Sequence, residues 1–499
     1  MRASAEDFDV VVIGGGPGGS TASTVLAMQN HRVLLLEREK FPRYQIGESL
    51  LPATIHGVCK ILGLSEELKK AGFVRKLGGT FRWGTNPEPW TFAFSTAASI
   101  SAPKAYAYQV ERAKFDHLLL KNAAHKGVDV REGHSVRGLL FEDGRACGVE
   151  FADADGNVGT AAARYVVDAS GHQSRVYQHV GERIYSNFFQ NLALFGYYEN
   201  GGRFPPPRDG NIFCAAFKEG WFWYIPLSDK LTSVGAVVSK EYADQLKGGY
   251  EEAMKHFIDS CPEISRLLAN ATRVTEGVYG QLRVRKDWSY TNERFWSPGI
   301  LLVGDAACFI DPVFSSGVHL ATYSGLLAAR SINSVLNDGM DETRCFEEFE
   351  KRYRREFRNF YEFLTSFYDM HQREDSYFWR ARKILRDGAS SEEAFVTLVA
   401  GVSNLQRDEE LLVDSVQVER IKEKLRQLED AEDDAAAPYF ASEKGSFLDA
   451  LVEEATQLQT QASAGVKRGE EQPLFDGGLI PSADGLRWRE VPAGAAAGD

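Results

Sequence analysis

Val10-Val11-Val12-Ile13 runs straight into Gly14-Gly15-Gly16-Pro17-Gly18-Gly19. A short apolar, mostly β-branched run that stops at glycine reads as a buried parallel strand meeting a sharp turn. Gly14, Gly16 and Gly19 stand at G-x-G-x-x-G spacing. The first lets the turn close, the second lets backbone approach a pyrophosphate, and the third lets the next helix pack on the strand. The spacing predicts that helix over Gly18 to Gln29, its N-terminal amides and positive dipole end aimed at phosphate. Arg32 to Glu37 reads as the second strand, ending in an acid. Glu37 follows the glycines by about 20 residues, where a carboxylate accepts hydrogen bonds from a ribose diol. It would repel a 2'-phosphate, so the expected nucleotide is FAD or NAD rather than NADP.

The 499 residues suffice for two or three domains. A net charge of -13 argues against nucleic acid, whose phosphates want a basic surface. No apolar run reaches the roughly 18 residues of a membrane span, and no membrane partner is expected. The N-terminal residues enter the first strand without an apolar signal segment. Cys59, Cys147, Cys214, Cys261, Cys308 and Cys345 are scattered with no C-x-x-C pair. That pattern suits reduced thiols in a cytoplasmic protein and offers no metal site.

A breaker-rich loop, 41 to 52, follows Glu37. Helical spacing resumes from Ala53 to Leu64 and around Glu66 to Ala71. Alternation typical of strands begins at 75 to 84 and recurs from Ala105 to Val110, before a helix over Glu111 to Ala124. Strands at Ser135 to Phe141 and Cys147 to Phe151 flank the turn 142 to 145. A turn at 155 to 157 leads to the strand opening at Tyr165, which ends in Asp168-Ala169-Ser170-Gly171. From Phe188 to Gln281 the pattern is strand-rich, with one helix near Tyr250 to Ser260. Gly299 to Ala307 returns to strand, glycine and acid, and a helix covers Val318 to Leu336. Between Glu347 and Met370 the residues Phe349, Tyr353, Phe357, Phe360, Tyr361, Leu364, Phe367 and Tyr368 form an apolar helical stripe. A further helix is expected near Ser415 to Leu428, with solvated segments at 430 to 437 and 493 to 499. The expected architecture is therefore α/β. A Rossmann-like nucleotide-binding domain takes residues 1–75, 111–182 and 296–340. An inserted antiparallel β-rich substrate domain takes 76–110 and 183–295, and a helical C-terminal region with a partly disordered tail takes 341–499.

Three strand ends carrying small or acidic residues, separated by β-rich insertions, resemble FAD-dependent aromatic monooxygenases. Gly304-Asp305 matches their Gly-Asp motif, whose acid contacts the ribityl chain, and Arg112 matches the arginine near the flavin diphosphate. No second glycine fingerprint marks a nicotinamide domain, which implies external reduction by a flavin reductase. The finer resemblance is to flavin-dependent halogenases. Trp221-Phe222-Trp223-Tyr224-Ile225-Pro226 fits their W-x-W-x-I-P signature. Strand alternation puts Trp221, Trp223 and Ile225 on one side. With Pro226 they make a rigid wall able to hold an aromatic substrate off the isoalloxazine. Tyr44 to Thr54 resembles the segment beside the flavin, with Glu48 and Ser49 at its G-E-S. Lys76 sits where the family carries its essential lysine; alone it would read as a solvated surface residue. Gly304 to Ala321 resembles the halide-binding turn, with backbone amides at Ser316 and Gly317 holding chloride.

The resemblance implies that reduced FAD and O2 give a C4a-hydroperoxide, that chloride attacks it, and that hypochlorous acid leaves for Lys76. Lys76 would catch it as a chloramine or by hydrogen bonding. Phe314 stands where tryptophan-specific members carry a glutamate that helps activate an unactivated ring position. Its place resembles that in members acting on phenols or pyrroles, several of which take substrates tethered to a carrier protein. A tethered tyrosyl or other phenolic acyl group is the first expectation, and an indole attacked at an electron-rich position stays open. An aromatic hydroxylase, a prenyl-chain reductase and a flavoprotein without turnover are the alternatives.

Overall fold

The computed structural model describes residues 6–83, 89–97, 100, 102–369, 473–475 and 477–491. The expected helix at 415–428 and the solvated segments at 430–437 and 493–499 lie outside the described residues. The chain opens β1 (Glu6–Ile13), α1 (Pro17–Ala27), β2 (Val33–Glu37). An excursion follows through β3 (Val74–Lys76), β4 (Gly78–Arg82), β5 (Trp90–Ala93) and β6 (Ala107–Gln109). Then come α2 (Arg112–His125), β7 (Asp129–Glu132), β8 (Ser135–Glu142), β9 (Arg145–Ala152) and β10 (Val158–Asp168). The β-rich part holds β11 (Arg183–Glu199), β12 (Ile212–Phe217), β13 (Gly220–Pro226), β14 (Leu231–Ser239), β15 (Thr272–Arg273) and β16 (Arg283–Asn292). The chain returns with β17 (Trp296–Ser297), β18 (Ile300–Leu302) and β19 (Cys308–Phe309), followed by α3 (Gly317–Asp338) and α4 (Glu342–Asp369). A hairpin of β20 (Ile480–Pro481) and β21 (Trp488–Arg489) ends the described chain.

β18, β10, β1, β2 and β7 lie side by side and parallel. Their apolar runs carry no alternation because both faces are covered; every residue of β2 is buried. α1 packs between this sheet and α3, where Gly325 lets the two helix backbones approach: a Cβ there would lie 2.4 Å from the Gly18 carbonyl. The second sheet runs β19-β16-β11-β14-β13-β12-β4-β5. One of its faces joins the main core, while Phe222 and Tyr224 join the cluster beneath the helix Tyr250–Asp259. The architecture is thus a parallel α/β nucleotide-binding layer beside a largely antiparallel sheet. No described helix is long and apolar enough to cross a membrane.

Three expectations change. β10 begins at Val158, seven residues before the expected start at Tyr165. Val-Gly-Thr-Ala-Ala-Ala-Arg is poor in strand formers. Its small residues fit because β9 lies close: a Cβ on Gly148 would meet the Ala161 carbonyl at 2.2 Å. The helix expected over Ala53 to Leu64 is a wide π-turn, Ala53–Val58, with one α-helical turn after it. Such turns cluster near functional sites, and this one follows the G-E-S loop. The aromatic stripe of α4 buries Phe346 and Phe363 as well, whereas Phe357, Tyr361 and Tyr368 are only partly covered.

Candidate active site

β1, β2, β10 and β18 all end at one edge of the parallel layer, where ligands bind in such sheets. Gly14 takes φ +99°, and a Cβ on Gly19 would sit 1.9 Å from the Gly14 carbonyl oxygen. α1 starts at Gly16 with no side-chain cap and no acid in its first turn. Its first amides therefore lack intrahelical acceptors and face no competing carboxylate. Glu37 accepts hydrogen bonds from the Gly15 amide (2.7 Å) and the Glu39 amide (2.8 Å). That holds the carboxylate at the turn with lone pairs left for a diol. Arg112 is gripped by Asp116 at 2.8 and 2.9 Å and donates to the Ile46 carbonyl at 2.6 Å, bracing the loop before Glu48. Asp305 is pushed up by burial and pulled down by Arg285, Arg112 and Arg183. Arg183 keeps Nε and Nη2 buried with no hydrogen-bond partner among the described residues. Open amides, an anchored diol acceptor and buried guanidinium donors fit a dinucleotide such as FAD.

Glu48 is buried and accepts from the Tyr197 hydroxyl at 2.8 Å, which in turn pairs with Tyr44 at 2.9 Å. Burial pushes the Glu48 carboxyl up to about 7, against hydrogen bonds from Ser233 and Tyr197. Next along the chain, Ser49 Oγ accepts from Lys76 Nζ at 2.8 Å, and the Leu50 carbonyl accepts from the same ammonium at 3.0 Å. Lys76 is 2 % exposed, not a surface residue, and burial pushes its pKa down to about 7. Cys214 lies near it and stands opposite Trp223 in the β12–β13 register. The Cys214 thiol also reaches the Val313 carbonyl at 3.9 Å. Lys76, the wall and the turn after Asp311 therefore border one region.

Trp221, Trp223 and Ile225 share the core-facing side of β13, as alternation requires, and the two indole rings are 6.2 Å apart. Trp223 donates to Ser233 Oγ at 3.1 Å and Trp221 donates to the Tyr368 hydroxyl. Asp311 caps the turn Pro312–Phe314 by accepting from the Val313 amide. Ser315 follows at φ +61°, a left-handed conformation uncommon outside glycine, and Ser316 returns to right-handed values at the start of α3. The Ser315 amide donates to the Pro312 carbonyl at 2.8 Å, and the amides of Ser316 and Gly317 follow at the start of α3. Ser316 is fully buried, and its Oγ has no partner among the described residues. Phe314 is 2 % exposed, with Phe81 at 5.8 Å and Phe363 and Phe367 each at 4.8 Å.

The family model described as tryptophan halogenase matches residues 9–103 and 95–421. The chain is 34% identical to a tryptophan 2-halogenase of Chondromyces crocatus over 79% of this chain and 76% of that protein. The chain belongs to the flavin-dependent halogenases. A second relative, flavin-dependent halogenase armH4 of Armillaria mellea, is 33% identical over 69% of this chain and 68% of its own length. The solved myxobacterial chondrochloren halogenase CndH is 54% identical with a TM-score of 0.75, covering 97% of this chain and 100% of its own. The brominase Bmp2 is 26% identical with a TM-score of 0.71, covering 84% and 100%.

As a flavin-dependent halogenase the protein is an oxidoreductase that uses reduced FAD, chloride and O2 and depends on a flavin reductase. Of the residues singled out in the sequence, Gly14, Gly16, Gly19, Glu37, Arg112 and Asp305 gather around the nucleotide edge. Glu48, Ser49 and Lys76 form a second group through direct contacts, and Ser316 and Gly317 start α3. Tyr197, Arg183 and Arg285, and the Asp311–Tyr368 contact, were not foreseen. Only Asp311 carried a signal, as an Asp-Pro turn cap; an aromatic in an apolar stripe announces packing, not what its hydroxyl meets.

Proposed function

We propose that this halogenase chlorinates a phenolic ring, tyrosyl-like and presented as a thioester on a carrier protein, in a natural-product pathway. The observation that carries the reading is Phe314. A glutamate there would stand among Phe81, Phe363 and Phe367, so ring activation must come from the substrate. A phenol supplies it through its own oxygen. Ile184, Tyr185 and Phe188 on β11 are exposed, and Phe188 meets Tyr368 beside the wall, which gives a carrier protein apolar surface to dock on. The tethered form also draws on the sequence resemblance to carrier-dependent members. Six free cysteines suit a cytoplasmic setting.

Reduced FAD with O2 supplies the chemistry that converts chloride to hypochlorous acid. Gly14, Gly16, Gly19, Glu37, Arg112 and Asp305 hold the cofactor, with Glu48 and Ser49 beside it. Ser316 and Gly317 bind chloride through backbone amides, and the unpartnered Ser316 hydroxyl adds a donor. Trp221, Trp223, Ile225 and Pro226 keep the ring off the cofactor. Lys76 receives the oxidant: its amine takes chlorine from hypochlorous acid and releases water, or its ammonium polarises the O–Cl bond. An amine with a pKa near 7 serves either role. The raised pKa of Cys214 keeps that neighbouring thiol protonated and slow towards the oxidant.

The test is mass spectrometry after turnover with a flavin reductase, NADH, chloride and air. The panel holds a tyrosyl carrier-protein thioester, phloroglucinol, free tyrosine and free tryptophan. Chlorine on the tyrosyl thioester is the expected result; oxygen in its place would establish a hydroxylase. Chlorination of tryptophan alone would favour the second reading, an indole attacked at an electron-rich carbon, which the Chondromyces relative's name supports.

Phe314→Glu should not speed chlorination of a phenol, because the substrate already donates into its ring. Buried among phenyl rings, the new carboxyl should cost a few kcal/mol of stability or take up a proton. Chlorination rates and melting temperatures of the two proteins check this, and a markedly faster variant would overturn the argument from Phe314.

A further inference from the structure

Both indole N–H groups of the wall are hydrogen-bonded, but their supports differ. Trp223 leans on Ser233, a residue of the adjacent strand β14. Trp221 leans on Tyr368, which is carried on α4, an element outside the sheet. The Tyr368 hydroxyl passes its proton donation to Asp311 Oδ2 at 2.8 Å. Asp311 is fixed in turn: the Asn191 amide donates to Oδ2 at 3.1 Å, the Val313 amide donates to Oδ1 at 3.1 Å, and its own amide donates to Ser289 Oγ at 2.9 Å. Asn191 stands opposite Asp287 in the β11–β16 register, and that second buried carboxyl faces Asp311. The chain thus runs indole N–H to hydroxyl to carboxylate, every donor pointing the same way, so each bond polarises the next. The carboxylate at its end caps the turn that opens into Ser315, Ser316 and Gly317. The Tyr368 ring is held by Phe189 at 5.2 Å and Trp83 at 5.7 Å, so packing alone places the ring and the hydroxyl adds only the link.

We propose that Tyr368 is a positioning residue whose hydroxyl ties the Trp221 indole to the halide-turn carboxylate Asp311, and so sets how oxidant divides between substrate and solvent. This rests on the reading of the wall as the partition between chloride oxidation and substrate. Turn and wall are one hydrogen-bonded unit, so the distance from chloride to indole is fixed by covalent lengths and three bonds. Cutting the link frees the indole to turn, and oxidant then escapes past Trp221 instead of moving on to Lys76.

The test uses the full chain and Tyr368→Phe, which removes one oxygen and keeps the packed ring. In the first arm, flavin-free protein receives substoichiometric hypochlorite and oxidation at Trp221 is mapped by peptide mass spectrometry. Trp221 should oxidise several-fold more in the variant while Trp223 stays unchanged; equal oxidation of Trp221 in both proteins would overturn the proposal. In the second arm, holoenzyme turns over with chloride, a phenol from the panel that the parent chlorinates, and monochlorodimedone as a diffusible scavenger. The scavenger's share should rise several-fold in Tyr368→Phe with total chloride oxidation unchanged. A parallel fall of both products would mean the residue serves only the fold. Trp221→Phe should give the same partition with or without Tyr368→Phe, because one link cannot be cut twice; additive effects would refute the link. A parent that chlorinates neither phenol nor scavenger refutes the functional reading itself, whereas a parent that chlorinates both beside an unchanged variant refutes only the link.

Discussion

Lys76→Ala should abolish substrate chlorination while FAD retention, oxygen consumption and chloride oxidation persist. In the proposed site chloride would be held at the Ser316–Gly317 turn, whereas Lys76 belongs to the other group, bonded to Ser49 and Leu50. On the proposed reading its loss would remove capture and orientation of the oxidant, which positioning can make worth several kcal/mol. Hypochlorous acid should then reach a diffusible scavenger at the rate the parent chlorinates substrate. Lys76→Arg should fail as well, since an always-charged guanidinium neither fits the site nor forms a chloramine readily. Retained regiospecific chlorination in Lys76→Ala would remove the residue from the mechanism, and loss of FAD would assign it to the fold. The burial that suits Lys76 to this chemistry costs stability. Its folded pKa near 7 lies below the ordinary 10.5, so the unfolded chain binds the extra proton between those values. Stability from this group therefore rises with pH across that window, and the penalty is fully present below pH 7. The gap corresponds to about 5 kcal/mol before its two hydrogen bonds are counted. Lys76→Met should consequently melt higher than the parent at pH 6, with the gain shrinking towards pH 10. A gain equal at both pH values would mean that the amine does not titrate as a buried group.

What the sequence disclosed follows the physics of each signal. β1, the glycine turn, α1 and Glu37 were legible because a central parallel strand and a dinucleotide turn each admit few residue types. Trp221, Trp223 and Ile225 could be assigned to one face because strand alternation has no free parameter. The first half of β10 was not legible: its Gly and Ala residues fit only because β9 lies against them, a fact of tertiary packing. The π-turn at Ala53–Val58 was missed since apolar spacing there still resembles an α-helix. Lys76 looked like a surface lysine from composition alone; its burial depends on β3 pairing with β6 and on Ser49 arriving beside it. The Trp221–Tyr368–Asp311 chain joins residues 57 and 147 positions apart, beyond any local pattern.

The glycines of the first turn separate fold from cofactor. Gly19→Ala places a Cβ 1.9 Å from the Gly14 carbonyl oxygen and 3.2 Å from Ala169 Cβ. Neither neighbour is the end of a flexible side chain, so α1 must move off the sheet. Gly14 is itself fixed in the turn, at φ +99° with its amide donating to the Leu36 carbonyl at 2.8 Å. Gly19→Ala should therefore lose both FAD and several kcal/mol of stability, as overpacked core positions do. Gly16→Ala behaves differently. At φ -68° its backbone suits any residue, and its Cβ meets only Arg43 Nη2, at 3.5 Å. The flavin-free protein should fold with a melting temperature close to the parent's. Its new methyl nonetheless stands at the N-terminus of α1, where the diphosphate must touch backbone, so FAD affinity should fall by at least about tenfold, a cost of about 1.4 kcal/mol. Flavin-free melting curves and FAD titrations of both variants check the pair. A Gly16→Ala protein that binds FAD as tightly as the parent would show that the diphosphate does not lie against this turn, whatever the glycine spacing implies.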